Sequence, residues 1–350
     1  MSETERLVEL WKDAKSRGDD VYLATLVHAQ GSSYRKPGAR MLVTSRGERA
    51  GTLSGGCLEG EISRKIRWFT RNGPVVKIYR SSFDDDSDGI PFKSGCGGRI
   101  WVLMETGAAV DSVMEAIRAS LEERVPAVTV CSVSAGHVLS TRVMPLSDGE
   151  TALSSSRSTN SDTPEVIYIP ILPPPKLYIF GAGDDAQPLV RFASELGWHV
   201  CVADGRAPLL QRARFPEAKE LIHLEYGAGN TLTRGLQLLT DGPLVEAGSR
   251  VVVMTHSYEQ DAALLRELLP QTLEYLGVLG PAHRTAGLVD EIADEIGLSR
   301  EECFSRMHSP VGLPIGTGDP AVIALSIVAE IQALAASANT RVERRVELQL

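Results

Sequence analysis

The sequence has no Cys-x-x-Cys pair: its five cysteines, Cys57, Cys96, Cys131, Cys201 and Cys303, are odd in number and widely spaced. That excludes zinc-ribbon and iron–sulfur patterns, and fits a reduced compartment better than a disulfide framework. Basic excess is also missing. A formal charge of −9 and a pI near 5.4 exclude the concentrated positive field of a nucleic-acid surface, so anionic ligands must be met by local clusters. No apolar run reaches the roughly 20 residues of a membrane span. The longest, 321–329, is interrupted by Ser326 and followed by Glu330 and Gln332. It reads as a buried helix, with Asp319 as N-cap and Pro320 in the first turn. The first 20 residues lack the apolar core of a signal peptide and read as an amphipathic helix carrying Leu7, Leu10 and Trp11. The expectation is a cytoplasmic protein with neither nucleic acid nor membrane as partner.

The chain has 350 residues, 43% hydrophobic and 23% charged, enough for two cores. β-type runs at 21–29, 40–44, 75–80 and 99–105 surround a helical pattern at 58–69. A second helix follows at 110–121, with β-like pieces at 127–133 and 137–144. Residues 147–163 are then rich in Ser, Thr, Asp and Asn, and 170–175 hold four prolines, which reads as a linker. From 176 the pattern becomes strand 177–180, helix 184–196, strand 199–203, with strands at 251–254 and 275–279. Parallel neighbours need helical crossovers, so this alternation predicts a doubly wound sheet. The fold class is α/β: a mixed N-terminal domain (1–146), a linker (147–175), a Rossmann-like C-terminal domain (176–337) and a polar tail (338–350).

Three motifs carry chemistry. Gly31-Ser32-Ser33-Tyr-Arg35-Lys-Pro-Gly38-Ala-Arg40 puts small residues, hydroxyls and three cations in one loop, suited to an oxyanion or phosphate. In Ser54-Gly55-Gly56-Cys57-Leu-Glu59, the glycines can turn backbone N–H groups toward a ligand, and a cysteine at a helix start has its thiolate favoured. The bland alternative is a small buried thiol. Cys96, in Ser-Gly-Cys-Gly-Gly98, is a weaker second candidate. Gly181-Ala-Gly183-Asp-Asp-Ala186 joins an apolar strand to a helix, as a pyrophosphate turn does. Asp204 stands where a ribose-binding acid belongs, and Arg206 beside it would suit a 2′-phosphate. Asp184 and Asp185 oppose an anion there. Nucleotide binding and a purely structural turn both remain open. His256 ends an apolar strand where such sheets bind ligands, and a structural role suits it equally. The acidic run 84–89 imitates a calcium loop but has Gly95 at its twelfth position and Pro91 inside, so it reads as a solvated loop.

Taken together, 31–43, 51–60, Cys96-Gly-Gly98, 177–186, 251–257 and His308-Ser-Pro-Val-Gly-Leu-Pro-Ile-Gly316 resemble, in order, the XdhC/CoxI family. That resemblance implies an accessory protein that binds molybdenum cofactor (molybdopterin). Such a protein supports cofactor sulfuration with a cysteine desulfurase and delivers the cofactor to an apo-molybdenum hydroxylase of the xanthine dehydrogenase type. It also implies a Rossmann-like C-terminal domain; a homo-oligomer is expected. On this reading the 31–40 loop takes the cofactor phosphate and Cys57 is the reactive thiol near molybdenum, a soft ligand for that metal. The alternative is an NAD(P)-dependent oxidoreductase using the glycine turn, although no hydride-transfer acid/base partner is evident.

Overall fold

The computed structural model describes residues 1–56, 58–80, 89–91, 98–134, 137–147, 166–227, 232–233, 245–316 and 318–347. The chain forms two compact units, Ser2–Pro174 and Pro175–Leu350.

The N-terminal unit begins with α1 (Glu3–Ser16), started by a capping box between Ser2 and Glu5. Its sheet contains β1 (Val21–Gln30), β2 (Arg40–Thr44), β3 (Arg49–Gly51), β4 (Val75–Arg80), β5 (Ile90–Pro91), β6 (Arg99–Thr106), β7 (Ala127–Ser134), β8 (His137–Pro145) and β9 (Val166–Ile171). The order is β3-β2-β1-β6-β4-β8-β7-β9, with β5 beside β4. Helix α2 (Glu59–Phe69) lays Ile62 and Ile66 over Tyr22, Leu26, Met41 and Val102. On the other face, α1 and α3 (Ala108–Glu122) cover Leu23 and Leu42 with Leu7, Val8, Val110 and Met114. A third cluster joins Trp101 and Leu103 of β6 to Cys131 of β7 and Ile167 and Ile169 of β9. Among the described residues β4 and β8 are joined by the single pair Val75–His137.

Strand β9 lies inside the stretch that composition assigns to the linker. It pairs antiparallel with β7 and buries Ile167, Ile169 and Ile171. The alternating isoleucines outweigh the surrounding polar and proline-rich sequence.

The C-terminal unit has β10 (Lys176–Phe180), β11 (His199–Asp204), β12 (Glu220–His223), β15 (Arg250–Val253) and β16 (Tyr275–Val278), all parallel, in the order β12-β11-β10-β15-β16. A separate ribbon pairs β13 (Glu225–Tyr226) with β14 (Leu232–Thr233). Helices α4 (Ala186–Glu195) and α8 (Pro320–Glu347) cover one face through Leu189, Val190, Ile327 and Ile331. Helices α5 (Tyr258–Leu268), α6 (Ala282–Ile296) and α7 (Arg300–Ser305) cover the other through Leu264, Leu265, Leu288 and Cys303. This is the doubly wound arrangement that the strand–helix rhythm predicts. Helix α8 runs on to Glu347, past residue 338, where the sequence pattern begins a tail. Among the described residues no helix is long and apolar enough to cross a membrane.

Candidate functional site

In the N-terminal unit, three glycine-rich segments come together at one end of the sheet. Strand β1 runs into the first loop at Gly31, where φ is +75°. Gly38, with φ +96°, closes it by donating its N–H to the Leu26 carbonyl at 2.8 Å. Gly31 and Ser32 are exposed, and the Ser33 hydroxyl donates to the Arg35 carbonyl at 2.8 Å. Gly98 passes so close that a Cβ on it would stand 2.2 Å from the Ser32 carbonyl oxygen. A Cβ on Gly55 would likewise stand 2.9 Å from the Tyr34 ring.

The second segment is organised by Glu59, only 3% exposed. Its Oε1 accepts the Thr52 hydroxyl (2.6 Å) and the N–H groups of Leu53 and Ser54 (2.8 Å each). Its Oε2 accepts the Ser54 hydroxyl and the Gly56 N–H (2.8 Å each), with Leu58 N–H at 3.2 Å. Burial pushes this carboxyl up, but the bonds from Thr52, Ser54 and Leu53 outweigh it and hold its pKa down at about 2. The Gly55 N–H goes to the Thr52 hydroxyl at 3.2 Å. The backbone N–H groups expected to face a ligand therefore turn inward on a carboxylate. Glu59 is the turn's internal anchor, a role unforeseen in sequence although the hydroxyls of Thr52 and Ser54 before an acid at a helix start are its signal.

Two of the expected cations are also committed. Arg35 is paired with Glu3 at 2.6 Å, and Glu3 in turn accepts the Thr52 N–H at 2.9 Å. Arg40 does not face the loop surface. It opens β2 opposite Thr25, with Nη1 3.4 Å from the Gly38 carbonyl and Nε and Nη2 buried without a partner. Burial lowers its pKa to about 10, against the opposing field of buried Glu105. Glu105 is pushed up by burial, opposed by Thr141 and Arg40. In sequence the charge of Arg40 reads as loop surface; the apolar run after it makes it the first residue of β2 instead. Cys57 and Cys96 fall outside the described residues, as does the acidic run 84–88; Gly56 and Leu58 on either side of Cys57 are described, as is Gly98 two residues after Cys96.

In the C-terminal unit, the glycine turn has the expected shape but a closed acid. Gly181 has φ +124°, and a Cβ there would stand 2.4 Å from the Met254 carbonyl oxygen, so only glycine fits. Gly183 faces the His256 ring, 3.7 Å from where its Cβ would be. His256 has φ +63°, strained for a non-glycine residue, and its Nε2 lies 3.4 Å from Asp185. Asp184 meets Arg214 at 3.0 Å.

Asp204, 2% exposed, has both carboxylate oxygens engaged within the protein. Oδ2 accepts the Ala182 N–H at 2.6 Å and Arg206 Nη2 at 2.8 Å; Oδ1 accepts the Arg206 backbone N–H at 2.7 Å and Nε at 3.0 Å. Burial raises its pKa, but Arg206 and Ala182 pull it below the usual carboxylate range. Arg206, whose side chain is 47% exposed, is engaged by the same carboxylate. The paired acid and base two residues apart are the local signal for this closure.

The geometry defines a class: a two-unit α/β protein with glycine-rich loops meeting at one end of the N-terminal sheet and a Rossmann unit whose Asp204 is paired with Arg206. Residues 14–79 match the XdhC and CoxI family, and 177–331 match the XdhC Rossmann domain. The chain belongs to the XdhC and CoxI family. It is 32% identical over 326 residues to a probable xanthine dehydrogenase subunit of Bacillus subtilis, covering 89% of this chain and 92% of that protein. It is 24% identical over 321 residues to the molybdenum cofactor insertion chaperone PaoD of Escherichia coli, covering 91% of this chain and 85% of that one. The crystal structure of a xanthine dehydrogenase from Bacillus halodurans superposes with a TM-score of 0.75 at 30% identity, covering 96% of both chains.

Proposed function

We propose that this protein is an accessory factor for a molybdenum hydroxylase of the xanthine dehydrogenase type, binding molybdenum cofactor as cargo and handing it to the apo-enzyme. The observation that carries the reading is the junction of the loop 31–38, the turn 52–58 and Gly98 at one end of the N-terminal sheet. It brings together the segments flanking both glycine-flanked cysteines. The relatives supply the cargo: one is named a molybdenum cofactor insertion chaperone and another a probable subunit of xanthine dehydrogenase.

The residues fit a flat, phosphorylated ligand with a soft metal centre, with a smaller share of cations than the sequence promises. Tyr34 is 70% exposed and offers a ring face to a pterin. Gly31 and Ser32 leave the adjoining backbone open to close approach, and Lys36 is exposed on the same loop. Arg35 acts through Glu3, holding the loop against Thr52. Glu59 anchors Gly56 and Leu58, the residues on either side of Cys57 in the chain. A thiolate there is the soft donor for molybdenum and the sulfur-handling group in cofactor sulfuration with a cysteine desulfurase.

The test is cofactor retention. Protein purified from a host that makes molybdenum cofactor should carry close to one molybdenum per chain through gel filtration and should restore activity to apo-xanthine dehydrogenase. The isolated chain should oxidise neither xanthine nor aldehydes. Molybdenum-free protein from such a host, or substrate turnover by the purified chain, overturns the reading.

A further inference from the structure

At the opposite end of the Rossmann sheet from its glycine turn lies a donor cluster that cofactor handling does not use. His199 and Cys201 are two residues apart on β11 and so point to the same face. Cys201 stands in register with Glu220 on β12. The imidazole Nε2 is 2.8 Å from Glu220 Oε1, and one donor atom from each residue lies within 4.8 Å of the other two. Cys201 is fully buried, whereas His199 and Glu220 reach the surface. Lys176, paired in register with His199, places its ammonium 3.4 Å from Glu220 and 2.8 Å from Glu246.

The geometry points to a site for a borderline-soft divalent ion of the zinc class, bound by His199 Nε2, Cys201 Sγ and a Glu220 carboxylate oxygen, with water completing the shell on the exposed side. One nitrogen, one sulfur and one oxygen from the protein, with a fourth position open, is a set that zinc accepts. Metal–ligand bonds of about 2.0–2.3 Å put tetrahedral donors roughly 3.5 Å apart. The His199–Glu220 pair therefore has to open from 2.8 Å, and the Cys201 sulfur, within 4.8 Å of both partners, has to close by no more than about 1.3 Å.

Charge favours the same assignment. Two carboxylates against one ammonium leave a single negative charge. A divalent ion and the thiolate it creates add one positive charge, which neutralises the cluster. On binding, the thiol proton leaves to solvent and the imidazole proton resides on Nδ1; no electron is transferred. Lys176 opposes the ion, but Glu246 already holds it at the shorter distance.

Equilibrium dialysis of the full-length chain against zinc chloride, with a phosphine reductant, tests the site. Expected is one tight ion per chain. Cobalt(II) in its place should give a thiolate charge-transfer band that survives Cys57→Ser/Cys96→Ser and disappears in Cys201→Ser. His199→Ala should weaken zinc by at least about tenfold, the loss that even an outer-shell change can cause. Lys176→Met should tighten it. Should Cys201→Ser fail to fold by circular dichroism, His199→Ala, which alters a partly exposed ring, carries the decision. Absence of stoichiometric zinc, a band that follows Cys57 or Cys96, or unchanged affinity in His199→Ala overturns the assignment.

Discussion

The Tyr34 ring lies against Gly55 so closely that a single added carbon on the glycine would stand 2.9 Å from ring atom Cε1. This contact joins the hydroxyl-rich loop to the turn that precedes α2. Gly55 also has φ +72°, a region that costs a residue with a side chain about 1–2 kcal/mol.

Gly55→Ala should therefore destabilise the N-terminal unit through both backbone strain and collision. Adding Tyr34→Ala should recover only the collision. Urea denaturation of the two single variants and the double variant separates these contributions, because contacting residues give non-additive changes. Additive losses would mean that the loops are not mechanically joined. Trypsin cleavage after Arg35 should accelerate in Gly55→Ala.

The second prediction concerns acid. Glu59 has its folded-state pKa lowered from 4.5 to about 2, so its contribution is fully present above 4.5 and is lost as the pH falls toward 2. That shift corresponds to about 3 kcal/mol at neutral pH. Glu105 runs the other way, since burial raises its pKa, and its protonation favours the fold as the pH falls. The wild-type acid limb is their sum; the difference between wild type and Glu59→Gln isolates Glu59. The variant should be less stable at pH 7 by roughly 2–3 kcal/mol, and the gap should narrow below pH 4.5 and close as the pH approaches 2. A gap independent of pH would show that the carboxylate's charge is not what holds the turn.

Much of this architecture is legible in the residue pattern. The apolar runs of β10, β11 and β15 and the glycine turn after β10 announce a Rossmann sheet, because buried parallel strands have no polar face to hide. The N-terminal loops are legible as chemistry but not as geometry. Hydrogen-bond direction is invisible in sequence, so the glycine-rich turn looks open outward when it is closed inward on Glu59. Arg40 and Asp204 illustrate the same gap. A charged residue at a strand end reads as surface or ligand contact until its register with Thr25, or its bonds to Arg206 and Ala182, are known.

The closure of Asp204 yields the third prediction. A dinucleotide ribose must displace Arg206 to reach this carboxylate, so calorimetric titration with NAD or NADP should give no saturable heat. Arg206→Ala removes the internal partner, and NAD binding should then appear while NADP remains excluded by the exposed negative charge. The variant should also lose about 1.5–3 kcal/mol of stability, the scale for a hydrogen bond to a charged group. Tight NAD binding by the wild-type chain would require the Asp204–Arg206 pair to open readily and would restore the oxidoreductase alternative.

The last prediction weighs two opposing influences on Cys57. The start of a helix favours a thiolate. Against this, its neighbours Gly56 and Leu58 both donate N–H groups to the Glu59 carboxylate, which places a negative charge close to that stretch of backbone and spends the donors that would stabilise another anion. Removing the charge while keeping the shape, as in Glu59→Gln, should accelerate alkylation of Cys57 at pH 7. A parallel loss of turn order would instead expose the thiol at every pH, so the rate must be followed against pH: a displaced midpoint reports charge, a uniform rise reports opening. Cys57→Ala should keep the wild-type melting temperature and lose transfer of molybdenum cofactor to an apo-hydroxylase. Cys201→Ala, in a fully buried position of the other unit, should lose stability and, where it folds, retain transfer. If Cys57→Ala loads the hydroxylase normally, sulfur at that position is dispensable and the cargo must be held by the Tyr34 loop without it.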